Sequence, residues 1–272
     1  MKEITALGIA SPEVKMAKDL LSGKKVSEAK DLFVCEGLWA AEKLIQEKIT
    51  VPYFFFCPEI IKTPEEQAQV DALSNYAENS YSISMKACSK ISDREGADGF
   101  FIIAKMPSYS LSDLENKLED NMVIMILDGQ EQPGNIGAIL RSLDCAGGQF
   151  AIMTNRRVRL THPRLIRSSL GAAFLMPVAE APMDELMDWL EKHNFKAIVT
   201  DLTATKSYRE IDYTGRIAIV AGNEFKGISP EWRNKKISQP VIIPMLGSCE
   251  SLNVGFASTL VAYEAGLRQK GL

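Results

Sequence analysis

Between residues 121 and 245 the chain holds five short runs rich in Val, Ile, Met and Ala: "MVIMILDG", "FAIMT", "KAIVTD", "RIAIVAGNE" and "PVIIPM". A strand with one wet face alternates apolar and polar positions, whereas a strand covered on both faces reads as a continuous apolar run. These five therefore predict a largely parallel sheet with helices on both sides. The segments between them fit that role. "NIGAILRSLDCAGG" places Ile136, Ile139, Leu140 and Leu143 on one stripe, with Asn135 where a helix cap belongs. "PRLIRSSLGAAF" and "MDELMDWLEKHN" read as further helices, "MPVAEA" as a short strand, and the stretch from Gly255 as the closing helix. An α/β domain over residues 121–272 follows, although its strand order does not.

Residues 1–106 mix shorter elements. "SPEVKMAKDLLSG" has a Ser-Pro helix start and a stop at Gly23, and "LWAAEKLIQEK" carries Leu38, Ala41, Leu44 and Ile45 on one helical face. "LFVCEG", "VPYFFFC" and "GFFIIAK" read as strands, with the polar helix "TPEEQAQVDALSNYA" among them, so a second, small α/β domain is expected. Residues 107–120 are polar and read as a linker with a short helix capped by Ser112.

Two domains suit a chain of 272 residues, and 46% apolar content is enough to build their cores. The net charge of -4 gives no bulk attraction to nucleic acid, so any RNA contact must rest on a local basic patch. Five cysteines without a Cys-x-x-Cys pair, and two histidines beside none of them, define no metal site by spacing. The odd cysteine count and the absence of a signal peptide point to a reducing cytoplasm, and no apolar run is long enough to span a membrane.

In open parallel sheets, ligands bind beyond the carboxyl ends of the strands. Three loops there carry more polar chemistry than turning requires. In "LDGQEQPGNIGAILRSLDCAGG", Gly137, Arg141 and Asp144 share a helix face apart from the buried stripe; by position alone, Asn135 reads as a cap and Arg141 as a solvated residue. In "IVAGNEFKGISPEW", Gly222 and Gly227 flank Glu224, which lets backbone come close to a ligand beside a carboxylate. In "IPMLGSCESLNVGFAS", either Ser251 or Asn253 can cap the last helix, leaving the other unexplained. The phosphate loop G-x-x-x-x-G-K-[ST], a strand-linked G-x-G-x-x-G and the G-x-S-x-G elbow are all absent, and neither histidine lies in these loops.

In their order and separation, "PGNIGAILRSLDCAGG", "GNEFKGIS" and "IPMLGSCESLNVGFASTLVAYE" resemble the three signature motifs of the SpoU/TrmH family of RNA 2'-O-ribose methyltransferases, with "PRLIRSSLGAAFLMPV" as the connector. The N-terminal stretches "SPEVK", "LFVCEGLWAAEKLI" and "KISDREGADGFFIIAK" are similar, more loosely, to the RNA-binding domain often fused to that catalytic domain, an α/β/α fold shared with small ribosomal proteins. The resemblance implies a C-terminal SPOUT domain whose parallel sheet carries a deep trefoil knot, acting as a homodimer. It implies S-adenosylmethionine, bound bent, as methyl donor, S-adenosylhomocysteine as product, and no metal. Carried over position by position, Asn135, Arg141, Glu224, Ser251 and Asn253 would surround the ribose hydroxyl and the methyl donor. Gly222, Asn223, Gly227, Ile243, Met245, Ser251 and Leu252 would hold the cofactor.

The substrate implied is structured RNA, ribosomal RNA ahead of transfer RNA. In the N-terminal domain Lys24, Lys25 and Lys30 stand where relatives often show arginines, and Gly255 departs from the small polar residue or alanine of many relatives. Two other readings compete: a non-catalytic RNA-binding factor that keeps the fold, and an ordinary doubly wound nucleotide-binding enzyme. The full set of five polar positions argues against the first, and the missing phosphate motifs argue against the second.

Overall fold

The computed structural model describes residues 4–92, 98–233 and 235–272. Residues 93–97, inside the stretch "KISDREGADGFFIIAK", lie outside the described residues. The chain separates into two compact units: Met1–Pro107 with Leu160–Arg167, and Ser108–Arg159 with Ser168–Leu272.

The first unit contains β1 (Ile4–Leu7), α1 (Pro12–Leu21), β2 (Leu32–Glu36), α2 (Ala41–Gln46), β3 (Tyr53–Phe56), α3 (Pro64–Tyr76), β4 (Asn79–Ile83), α4 (Met85–Ile91) and β5 (Phe100–Lys105). Its sheet runs in the order β1-β4-β3-β5-β2, with β5 antiparallel to both neighbours and the other pairs parallel. Val14, Ala17 and Leu20 of α1 and Ala87, Cys88 and Ile91 of α4 pack with Phe55 and Phe101 of the sheet. Thr63 and Glu66 bond reciprocally to start α3, with Pro64 in its first turn. The helix expected from Leu38 begins instead as a 3₁₀ turn, Leu38–Ala40, and becomes α-helical at Ala41. Burial pushes the Cys88 thiol up to about 12, which disfavours its thiolate.

The second unit contains α5 (Leu111–Glu115), β6 (Met122–Asp128), α6 (Pro133–Cys145), β7 (Phe150–Thr154), α7 (Pro163–Ser169, which spans the unit boundary), α8 (Ala172–Leu175), β8 (Val178–Glu180), α9 (Met183–Lys192), β9 (Lys196–Thr200), β10 (Arg216–Ala221), β11 (Ser238–Val241) and α10 (Val254–Gln269). All six strands are parallel, in the order β11-β9-β10-β6-β7-β8. The central strand β6 is buried at all seven positions, the property its unbroken apolar run demands. Each fully buried Ile, Leu or Val in such a strand contributes roughly 1.5–3 kcal/mol.

Several local expectations are corrected. Asn135 does not cap α6, because Pro133, pre-set for helix, moves the start three residues earlier and leaves Gln132 at the cap position. The linker helix α5 is capped by Ser110 rather than Ser112: Ser110 accepts from the Asp113 N–H while its own N–H donates to the Asp113 carboxylate. Residues 107–120 are not a free bridge, since Leu114 is fully buried in the second unit's core and Glu115 accepts from Lys192 and pairs with His193. "PRLIRSSLGAAF" is two helices, broken where Leu170 and Gly171 turn to φ 47° and 108°. The last strand ends at Val241, before the expected run has finished. Among the described residues no helix is long and apolar enough to cross a membrane.

Helix α10 packs on α6, β10 and β6. The approach to α6 is close enough at Gly266 that a Cβ there would collide with the carbonyl oxygen of Ala146. Gly266→Val should therefore destabilise the second unit by about 1–3 kcal/mol in urea unfolding. Gly8→Ala, at a site with open space around it, should leave the transition in place.

Candidate active site

The site forms where the carboxyl ends of β6, β9 and β10 meet the chain that leads into α10. Its foundation is Asp128, the last residue of β6, which is 1% exposed. A buried carboxylate is tolerated when donors surround it. Here Ser229 donates its N–H and its hydroxyl at 2.9 and 2.8 Å, Trp232 its indole N–H at 3.1 Å, and Asn155 its side-chain amide at 2.8 Å. The loop after β10 is thereby fixed to the end of the neighbouring strand.

That loop is a tight hairpin. The Asn223 N–H donates to the Gly227 carbonyl at 2.8 Å, and the Gly227 N–H donates back at 2.9 Å. The Asn223 side-chain oxygen accepts from the N–H groups of Phe225 and Lys226, and its amide donates to the Gly129 carbonyl at 2.7 Å. Gly222 is required by close approach: a Cβ there would stand 2.6 Å from the Gly227 carbonyl carbon and 2.7 Å from the Ile228 nitrogen. Gln130 donates its amide to the carbonyls of Ala221 and Gly222, so the strand end is held from a second direction.

Glu224, at the hairpin, reaches the start of α6. One carboxylate oxygen accepts the Glu131 N–H at 3.1 Å; the other accepts the Gln132 N–H at 3.0 Å and the Asn135 amide at 3.1 Å. Asn135 therefore turns its carbonyl oxygen outward, where it accepts the Asn253 amide at 3.3 Å. Asn253 in turn accepts the Gly255 N–H at 2.8 Å and caps α10. The result is one polar chain with a single sense of donation, which fixes both amide orientations. It settles the choice between Ser251 and Asn253 as cap: Asn253 caps, and Ser251 is left for another use. It also explains the tolerance of glycine at 255, whose backbone alone is needed.

Beside this chain lies a cleft of about 280 Å³, at the small end of ligand sites, which run to about 300–1,000 Å³. Gly222, Asn223, Glu224, Gly227, Ile243, Met245, Ser251 and Leu252 all line it. Asn135 adjoins it through Glu224, and Asn253 stands in the chain between the lining residues Leu252 and Val254. Arg141 is not brought into it: it lies on the exposed face of α6, six residues beyond Asn135, or about 9 Å along the axis, and makes no hydrogen bond or ion pair among the described residues. Thr200, Asp201 and Leu202, at the end of β9, also line the cleft and were missed by motif reasoning. The N–H and hydroxyl of Thr203 hold the Asp201 carboxyl below its ordinary range, so it stays ionised and lends the wall a negative charge. The signal that finds it is topological: it follows a parallel strand, "KAIVT", at the carboxyl end.

Removing the Glu224 carboxylate leaves two backbone donors at the start of α6 without their acceptor. Glu224→Ala is expected to cost about 1–3 kcal/mol in urea unfolding. Amide exchange at Glu131 and Gln132 should accelerate, and unchanged protection there would contradict the capping role.

With this geometry in hand, similarity to known proteins becomes informative. Residues 122–263, just over half of the chain, match the SpoU rRNA Methylase family. The 23S rRNA (uridine(2479)-2'-O)-methyltransferase of Streptomyces viridochromogenes is 32% identical over 62% of this chain and 59% of its own length, so the chain matches about three-fifths of that relative. A crystal structure of an RNA 2'-O ribose methyltransferase is 32% identical, covers 99% of this chain and 100% of its own, and superposes with a TM-score of 0.81. The AdoMet-bound rRNA methyltransferase of Sinorhizobium meliloti, 22% identical over 97% of this chain and 98% of its own, shares the fold with a TM-score of 0.85. The motifs, the parallel sheet and these likenesses agree, and the chain belongs to the SpoU rRNA methylase family.

Proposed function

We propose that this chain transfers a methyl group from S-adenosylmethionine to a ribose 2'-hydroxyl in structured RNA, ribosomal RNA in preference to transfer RNA. The observation that carries the reading is the Glu224–Asn135–Asn253 chain set against the cleft lined by Gly222, Ile243, Met245 and Leu252. A non-catalytic binding factor has no need for two amides locked in register beside such a cleft.

The residues present suit the cofactor. Ile243, Met245, Leu252 and Val254 offer apolar walls for a purine, and Gly222, which lets the hairpin backbone close over the strand end, lines the same cleft. Asp201 places negative charge on the same wall, which favours a cationic ligand. When bound, S-adenosylmethionine supplies a methyl group already activated on a sulfonium, so the protein's task is alignment. Asn135 and Asn253 each keep an N–H with which to orient the ribose, and Ser251 completes the wall. Glu224 accepts from three donors, and its role is to hold Asn135. Arg141, exposed on α6, is left to meet RNA, where its guanidinium steadies the developing alkoxide or a neighbouring phosphate.

The reading includes the family's trefoil knot and homodimer. Support for the knot is the course of the chain after β11, where Ile242 bonds to Lys206 and Tyr208 of the loop after β9 before the chain returns as α10. Support for the homodimer is an apolar stripe on α10: Phe256, Leu260, Tyr263 and Leu267 are spaced at three and four residues and all exposed, Phe256 by 70%. The first unit serves RNA binding in this reading. Lys25 and Lys30 are exposed there, whereas Lys24 is paired with Asp19 at 3.0 Å.

Incubation of the chain with tritiated S-adenosylmethionine and total RNA should label ribosomal RNA at the ribose. Cofactor binding without transfer to any RNA pool would overturn the enzymatic reading, and label confined to transfer RNA would overturn the preferred substrate. Arg141→Ala should abolish transfer while cofactor affinity, read by calorimetry, stays within about twofold of wild type. A larger loss of affinity would place Arg141 at the cofactor instead.

A further inference from the structure

Phe225 stands at the tip of the hairpin after β10, lines the mouth of the cleft, and is 78% exposed. The turn does not need it there. Asn223 supplies the side-chain acceptor for the Phe225 and Lys226 N–H groups, each at 3.0 Å, and Gly227 closes the hairpin, so any polar residue would serve at the tip. A large ring left in water forgoes the stabilisation that burial gives elsewhere, and it does so on a backbone held by five hydrogen bonds to Asn223, Gly227 and Gly129. The exposure is thus built into a fixed turn. One residue earlier, Glu224 turns inward to hold Asn135, so the ring is next in the chain to the carboxylate that orients an amide of the site. One residue later, Lys226 is exposed and offers a cation to a phosphate.

We propose that Phe225 is a base-stacking platform: it seats a nucleobase of the RNA substrate at the cleft mouth and so positions the ribose to be methylated. This rests on the RNA methyl-transfer reading above. A ring with no hydrogen-bonding group accepts the face of any base, so it contributes seating and affinity and leaves base identity to other contacts. The cofactor is the poorer occupant, because Ile243, Met245 and Leu252 already give the cleft apolar walls while Phe225 is left largely exposed to solvent.

The test compares the full-length chain with Phe225→Ala, Phe225→Leu and Phe225→Tyr, using 23S rRNA transcribed in vitro and free of modification. Stacking predicts that Ala and Leu raise the KM and Kd for the transcript by roughly 10- to 100-fold, whereas Tyr stays within about threefold. S-adenosylmethionine affinity and sedimentation coefficient should match wild type in all three. Leu performing as well as Tyr would reduce the contact to apolar burial and overturn the proposal. A changed cofactor Kd would assign the ring to the cofactor, and a changed sedimentation coefficient would assign it to a second copy of the chain; either overturns it. A wild-type chain that neither binds nor methylates the transcript removes the RNA reading and this proposal together, a failure visible before any variant is made.

Discussion

The carboxylate of Glu224 bonded to the start of α6 is the interaction on which the site depends. A helix begins with backbone N–H groups that have no partner in the helix, and the residues leading into it share that need. In α6 the acceptor comes from a hairpin some ninety residues later rather than from the local sequence. One negative charge therefore satisfies the Glu131 and Gln132 N–H groups, lies at the favourable end of the helix dipole, and orients Asn135. Because Asn135 must then present its oxygen to Asn253, the start of α10 is set by the same contact. Three loops far apart in the chain share one hydrogen-bonded line.

That line is useful because its base is rigid. Asp128 ends the central strand and gathers four donors from Ser229, Trp232 and Asn155, so the hairpin cannot shift without leaving a buried charge short of partners, which is costly. Gly222 lets the backbone of residues 227 and 228 pass close over the strand end. Methyl transfer from an activated donor asks mainly for alignment, and alignment is what such a scaffold supplies. The apolar stripe on α10 and the ring of Phe225 are exposed to solvent outside this framework.

Much of the second unit was legible in the sequence, for a physical reason. Strands buried on both faces lose their alternation, and the runs at Met122–Asp128 and Arg216–Ala221 stand out however the helices pack. In the first unit, β1 and β4 escaped notice because "ITAL" is largely exposed and "NSYSI" is polar, so neither carries the apolar signature of a strand. Element edges were less legible than cores. Pro133 moved a helix start past Asn135, and the break at Leu170–Gly171 depends on backbone angles that an apolar pattern does not encode. The strand order and the joining of Glu224 to α6 are tertiary facts. Among the site residues, the motif positions were visible as polar groups in excess of what turns require. Asp201 and Asp128 were not, because a single acid after an apolar run reads as an ordinary strand end.

The central claim is that these loops form one site for a methyl donor and an RNA ribose. Mapping 2'-O-methyl groups across ribosomal RNA, from cells with and without the gene for this chain, tests it most directly. The account predicts that a methyl mark present with the gene disappears without it and returns when the wild-type chain, but not Arg141→Ala, is supplied. An unchanged methylation map across ribosomal RNA would contradict it.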